Sequence, residues 1–315
     1  MSQLGFASLD YAAKKKRTKR EVFLAEMNQV VPWSRLEAVI APHYPKAGPS
    51  GGRRPFPLGV MLRIYCLQQW CHLSDPGAEE ALYDIQPTRA FAGLELGRDA
   101  IPDETTILNF RHLLERHDLT KAVFAAVAGH LEERGALLRG GTIMDATLIA
   151  ASPSTKNEEG KRDPEMSQSK KGNQWYFGMK AHIGVDARSG LVHAAGVTTG
   201  SVHDAKVMDH LIREDGRAVF GDKGYVNEAK KRAARAAGWP PALVFAEEAQ
   251  PPSRGHPRQE PAPAKAGVEH VFRFLKCQFG YRRVRYRGIA KNGAQVFSLL
   301  ALANLYLARR VLASA

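Results

Sequence analysis

Residues 142–150 read TIMDATLIA, a run in which Ile143, Met144, Leu148 and Ile149 surround a single acid, Asp145. Aliphatic and β-branched residues at this density, in a run this short, predict a mostly buried strand. An ionised carboxylate inside such a strand is costly unless it is paired or holds a metal ion. The stretch therefore predicts both a sheet and a candidate functional acid.

Working downstream, the polar residues 152–174 predict a charged loop. Residues 180–185 and 191–198 flank Asp186, Ala187, Arg188, Ser189 and Gly190, the pattern of a β-hairpin. Asp186 sits where an Asp is a standard turn former, and is left out of the candidate acids. Residues 204–214 carry Val207, Met208, Leu211 and Ile212 at helical spacing. Residues 217–221 predict a short strand ending at Asp222, and 227–237 a basic helix. Seven prolines between 239 and 267 make regular structure unfavourable over most of that segment. Helical periodicity returns at 268–279. Val268, Phe272, Leu275 and Phe279 share one face, and Glu269, Arg273 and Lys276 share another. A last, mostly apolar helix is predicted at about 292–312.

Upstream, residues 21–40 have helical spacing and 56–135 read as all-helical. Residues 58–73 carry a 3.6-period apolar stripe, Asp75 and Pro76 mark a helix start, Pro87 interrupts the helix predicted over 77–92, and Asp103 opens another. Several short helices fit either a DNA-binding region or a helical packing domain. The predicted organisation is an all-α N-terminal domain, 1–135, and an α/β domain with a mixed sheet, 136–312, holding an atypical Pro-rich segment at 239–267.

Composition bounds the function. The chain has 315 residues, 45 Lys plus Arg against 32 Asp plus Glu, and a net charge of +13. Its pI is near 9.7 and its mean hydropathy is -0.32. A pI above about 9 is the electrostatic footprint of a nucleic-acid binder. Three cysteines exclude a disulfide scaffold and fit a reducing, cytoplasmic setting. No uninterrupted run of about 20 apolar residues argues for a membrane span, and no Gly-rich phosphate loop argues for ATP.

Asp145, Asp222 and Glu269, predicted on two strands and a helix, are the candidate acids. Hard oxygen ligands on separate elements suit Mg2+, which binds one or two carboxylates plus phosphate. Between Val271 and Lys291 there are seven Lys or Arg and no acid, interleaved with Phe272, Phe274, Phe279, Tyr281 and Tyr286. These aromatics fit a core stripe, and the cations fit phosphate contacts. Trp175 and Tyr176, beside Lys170, fit either an unpaired base or a core anchor of the hairpin.

The order strand, hairpin, helix, strand with Asp, helix with Glu resembles the ribonuclease H-like fold. The strings MDATLIAASPSTKN, GKRDPEM, KKGNQWYFGMKAHIGVDARSG, VFGDKGY, VEHVFRFLKCQFGYRRVRYRGIAKN and LLALANLYLARR resemble DDE transposases of bacterial insertion sequences, and more narrowly the IS-five family. FPLGVMLRIYCLQQW and PDETTILNFRHLLE resemble that family's N-terminal domain. The resemblance implies that Asp145, Asp222 and Glu269 are catalytic and bind two Mg2+ or Mn2+ ions. It implies that Lys276 contacts DNA near the element end; Arg273, Arg282, Arg283, Arg285 and Arg287 are the accompanying candidates for DNA contact. The implied partners are the element's terminal inverted repeats, target DNA and further copies of the chain. The implied activity is metal-dependent strand cleavage and strand transfer. Residues 240–266 depart from the family pattern, with Ala262 and Lys265 where a Tyr and an Arg are usual. A locally shifted reading frame or a diverged insertion would produce this. The alternatives are therefore an impaired remnant that binds element ends without cutting, and another ribonuclease H-like nuclease.

Overall fold

The structure is a computed structural model that describes residue 11 and residues 14–46, 54–213, 219–221, 243–245 and 266–314. The chain divides into two compact units, residues 1–130 with 305–315, and residues 131–304.

The first unit is helical. Helix α1, Lys19–Val30, opens on a capping box in which Thr18 accepts from the Glu21 amide and Glu21 accepts from the Thr18 amide. The single helix predicted over 21–40 is in fact two. Val31 is extended and Pro32 follows it, so α1 stops and α2, Trp33–Ile40, begins afresh. Helix α3, Leu58–Cys71, ends on left-handed His72. Helix α4, Asp75–Asp84, is capped by the Ser74 hydroxyl with Pro76 in its first turn. Pro87 starts the separate helix α5, Gln86–Ala92, rather than kinking a longer one. Helix α6, Glu104–Arg116, is capped by Asp103, and α7, Leu119–Glu133, follows. Met27, Leu36, Ile40, Met61, Ile64, Leu82, Ile107 and Leu114 are almost wholly buried. At about 1.5–3 kcal/mol for each large apolar side chain, such burial dominates the unit's stability.

The second unit is built on a mixed sheet. Strand β1, Thr142–Ala150, is antiparallel to β3, Gln174–Asp186, and β3 is antiparallel to β4, Val192–Thr199. Strand β2, Ser167–Lys171, pairs with the first residues of β3. On its other side β1 is parallel to β5, Val219–Gly221, which is parallel to β6, Leu243–Phe245. β2 lies within the predicted loop, and β3 begins six residues earlier than expected. β6 is a short strand inside the Pro-rich segment, clear of its prolines.

Cross-strand partners share a face of the sheet. One face carries Met144 and Gly184 and is covered by α8, Met208–Leu211, with Val207 and Leu211 buried against it. A Cβ on Gly184 would collide with the Leu211 carbonyl, so glycine permits this approach. The helix predicted over 204–214 is only this single turn after a 3-10 turn at Asp204–Lys206. The opposite face carries Asp145, Ile183 and Val197. Helix α9, Ala266–Arg273, packs on β1 and β3 and runs directly into a π turn, Phe274–Gln278. The last helix, α10, is Ile289–Ser314, and its Gly293 lies against Val197.

α10 is long and apolar enough to cross a membrane by length and composition alone. Its Asn292 and Asn304 are buried and fully hydrogen-bonded within the protein, and Val296, Leu299 and Leu300 are buried too. It is a core helix.

Candidate active site and nucleic-acid surface

Asp145 lies mid-strand on β1 opposite Ile183 of β3. Burial along β1 is complete through Met144, relaxes from Asp145 to Leu148, and returns at Ile149. The acid thus sits in a partly open window of an otherwise closed strand, which relieves the desolvation that full burial would impose. Its Oδ1 accepts a 2.7 Å hydrogen bond from the Ala146 amide.

Glu269 is in the first turn of α9 and is exposed. The helix predicted over 268–279 is α-helical only to Arg273: Val268, Phe272, Leu275 and Phe279 are buried and Glu269 and Arg273 are exposed, as expected, but Lys276 lies in the π turn and is half-buried. Asp145 and Glu269 therefore occupy two elements that pack together. Asp222 lies outside the described residues. Among the described residues, no three His, Cys, Asp or Glu side chains gather closely enough to hold a metal ion.

Past the π turn the chain docks on the end of β1. The Ala150 amide donates to the Arg282 carbonyl at 3.2 Å, and the Val284 amide donates to the Ala150 carbonyl at 2.9 Å. The segment is held from inside by Asn292. Its Oδ1 accepts from the Tyr281 hydroxyl and from the Arg285 and Tyr286 amides, and its Nδ2 donates to the Tyr286 and Gly288 carbonyls. Burial also holds the Tyr281 hydroxyl protonated, well above the ordinary phenol range. From a second loop, Asp163 accepts from the Gly288 amide and Glu165 from the Ile289 amide. These are the otherwise unpaired donors at the start of α10.

The interleaved aromatics and cations part company in the fold. Phe272, Phe274, Phe279 and Tyr281 are buried. Arg273, Arg282, Arg283 and Arg287 are exposed, and Lys276 and Arg285 are half-buried. Arg282 is steadied by the Lys276 carbonyl and the Cys277 sulfur, and Arg287 pairs with Glu159 at 2.6 Å. The result is a cationic rim fixed to the strand that bears Asp145. Ala150 is five residues beyond Asp145, about 17 Å along an extended strand.

Asp186 is a turn former, as its position suggested. Fully buried, its carboxylate accepts from the Gly140, Arg188 and Ser189 amides and the Ser189 hydroxyl. Sequence reasoning missed Asn292. A polar side chain within the apolar periodicity of the last helix was the signal that could have found it.

Residues 137–305, more than half of the chain, match the Transposase DDE domain family, and residues 12–113 match the Transposase domain (DUF772) family. The chain belongs to the DDE transposase family. No solved structure matches it. The first match of this transposase covers the sheet, α9 and most of α10, and the second covers α1 to most of α6. Members of the DDE family generally use divalent metal ions, and the carboxylates of Asp145 and Glu269 are hard-oxygen donors of the type such a cation takes.

Proposed function

We propose that this transposase binds the terminal inverted repeats of an insertion sequence of the IS-five kind and carries out metal-dependent DNA cleavage and strand transfer, with Asp145, Asp222 and Glu269 as catalytic residues. One observation carries the reading. The parallel register of β1 and β5 pairs Ile143 with Phe220. Asp145 is two residues past Ile143, and Asp222 is two residues past Phe220. A strand order of three antiparallel strands followed by two strands parallel to the first supports a ribonuclease H-like core.

In this reading Asp145, Asp222 and Glu269 hold Mg2+ or Mn2+, as two ions. Such ions would supply Lewis-acid activation of a water or a DNA 3′-hydroxyl and charge stabilisation for an in-line displacement. Glu269 stands on the exposed side of a helix anchored by the buried Val268 and Val271. Arg273, Lys276, Arg282, Arg283, Arg285 and Arg287 bind phosphates and set the register of the DNA on the site. The helical unit reads the repeats, and further copies of the chain pair the two ends. The work is cytoplasmic and needs no membrane.

The test is Mg2+- or Mn2+-dependent cleavage of a labelled duplex carrying the element's own end, with Glu269→Ala beside it. Cleavage by the wild type alone supports the reading, and cleavage by both moves the site elsewhere. The departure at 240–266 favours a second reading, a transposase by descent that binds ends without cutting. Binding without cleavage by the wild type selects it. A nucleotide sequence with no alternative frame encoding the family's basic stretch would remove the frame-shift explanation.

A further inference from the structure

The tip of the β2–β3 hairpin displays the largest exposed aromatic ring among the described residues. Trp175 is 63% exposed. The other described tryptophans are packed against rings, Trp33 on Phe91 at 5.8 Å and Trp70 on Phe23 at 5.4 Å. Trp175 has no ring partner among the described residues. Its neighbour is a cation, because the register pairs it with Lys170, whose Nζ lies 6.0 Å from the ring centroid. The core-anchor alternative for Trp175 is thereby overturned.

The ring stands next to a tight turn. Lys171 pairs with Gln174 across a two-residue turn in which Gly172 takes a positive φ of 61°. A tight turn of this kind demands glycine there. Trp175, Phe177 and Ile183 share one face of β3, and Arg162 sits over Phe177 at 5.6 Å. Ile183 is the cross-strand partner of Asp145. The ring and its flanking cations therefore lie on the sheet face that carries Asp145, eight residues along β3, roughly 27 Å in an extended strand. No acid occurs between Glu165 and Asp186. A flat exposed ring flanked by cations, in a chain of charge +13, is complementary to a polyanion that also offers π faces.

We infer that the hairpin tip is a DNA contact in which Trp175 stacks on an unpaired base while Lys170 and Arg162 hold the adjoining phosphates. The inference rests on the proposed function for the identity of the polyanion, and extends it to a second contact away from the acids. Every base has a π face, so the contact is tolerant of sequence and selective for bases out of the duplex stack.

The test compares the wild type, Trp175→Ala and Trp175→Phe for binding to two labelled duplexes of one sequence, fully paired or with a short thymine bulge, without divalent ions. Stacking of one base predicts about tenfold tighter binding of the bulged duplex by the wild type. Trp175→Ala should lose that preference and keep its affinity for the paired duplex, and Trp175→Phe should retain most of it. Wild-type tryptophan fluorescence should be quenched by the bulged duplex, and less so in Trp175→Phe. Binding of paired DNA with no preference for the bulge, or an undiminished preference in Trp175→Ala, overturns the inference and leaves the proposed function standing. Failure to bind either duplex overturns both. A changed oligomeric state of Trp175→Ala without DNA overturns the inference in favour of a contact between copies.

Discussion

The Tyr281 hydroxyl donates a 2.9 Å hydrogen bond to Asn292 Oδ1, both side chains being wholly buried. Through it the start of α10 grips the segment that carries Arg282, Arg283, Arg285 and Arg287. Three of these cations are exposed and Arg285 is half-buried, and the backbone that carries them is held by a neutral amide.

Asn292→Ala is expected to destabilise the transposase by about 3 kcal/mol, because it strands a buried hydroxyl and several backbone groups at once. Tyr281→Phe, which removes one donor and leaves the amide's other bonds in place, should cost about 1 kcal/mol. Urea unfolding of the two variants checks the ranking, and equal costs would show that the amide is not the hub.

Asp145→Ala and Glu269→Ala should each lower strand cleavage by about a thousandfold or more, equivalent to roughly 4 kcal/mol of lost transition-state stabilisation. Binding of the element end should persist. Rates of a single round of cleavage, measured beside gel-shift affinities, separate the two effects.

Arg282 and Arg283 are exposed and flank the Ala150 contact. Replacing both with Ala should reduce the slope of log affinity against log salt by about 2, since each neutralised phosphate contributes about 0.9. Arg287→Ala should change it less, because Arg287 is already paired with Glu159. A salt titration of binding decides this, and an unchanged slope in the double variant would remove these arginines from the DNA contact.

Burial pushes His182 down to about 4, with Lys180 adding to the effect and Asp204 opposing it. The unfolded chain therefore takes up the proton first, near the ordinary value of about 6.5. Stability from this group is fully present above that value and falls as pH drops toward 4, by up to about 3 kcal/mol. His182→Gln should flatten the dependence of unfolding free energy on pH between 6.5 and 4. An equally steep dependence in the variant would assign it to other groups.

Much of this was legible in the sequence. Strand β1 has the predicted bounds, since an apolar nine-residue run between a Gly pair and a Ser-Pro turn leaves few alternatives. Asp103 and the Asp75-Pro76 pair marked real helix starts, because capping is local chemistry. What was misread depended on tertiary partners. β2 is a polar segment whose only signal is the strand beside it. Val31 fits the apolar helical spacing, but Pro32 forces it to be extended. For the site, Asp145 stood out as an acid among aliphatics, whereas Asn292 works through groups spread over eight residues.

The π turn at Phe274–Gln278 alters what the seven-residue spacing from Glu269 to Lys276 means. In an unbroken α-helix, at 3.6 residues per turn, the two would stand almost in line. A wider turn absorbs one extra residue and swings Lys276 round the axis, which agrees with its being half-buried while Glu269 and Arg273 are exposed. Exchanging the π turn for an α turn would bring the cation of Lys276 back toward the line of Glu269. The width of this turn thus acts as a dial on the direction of a single cation.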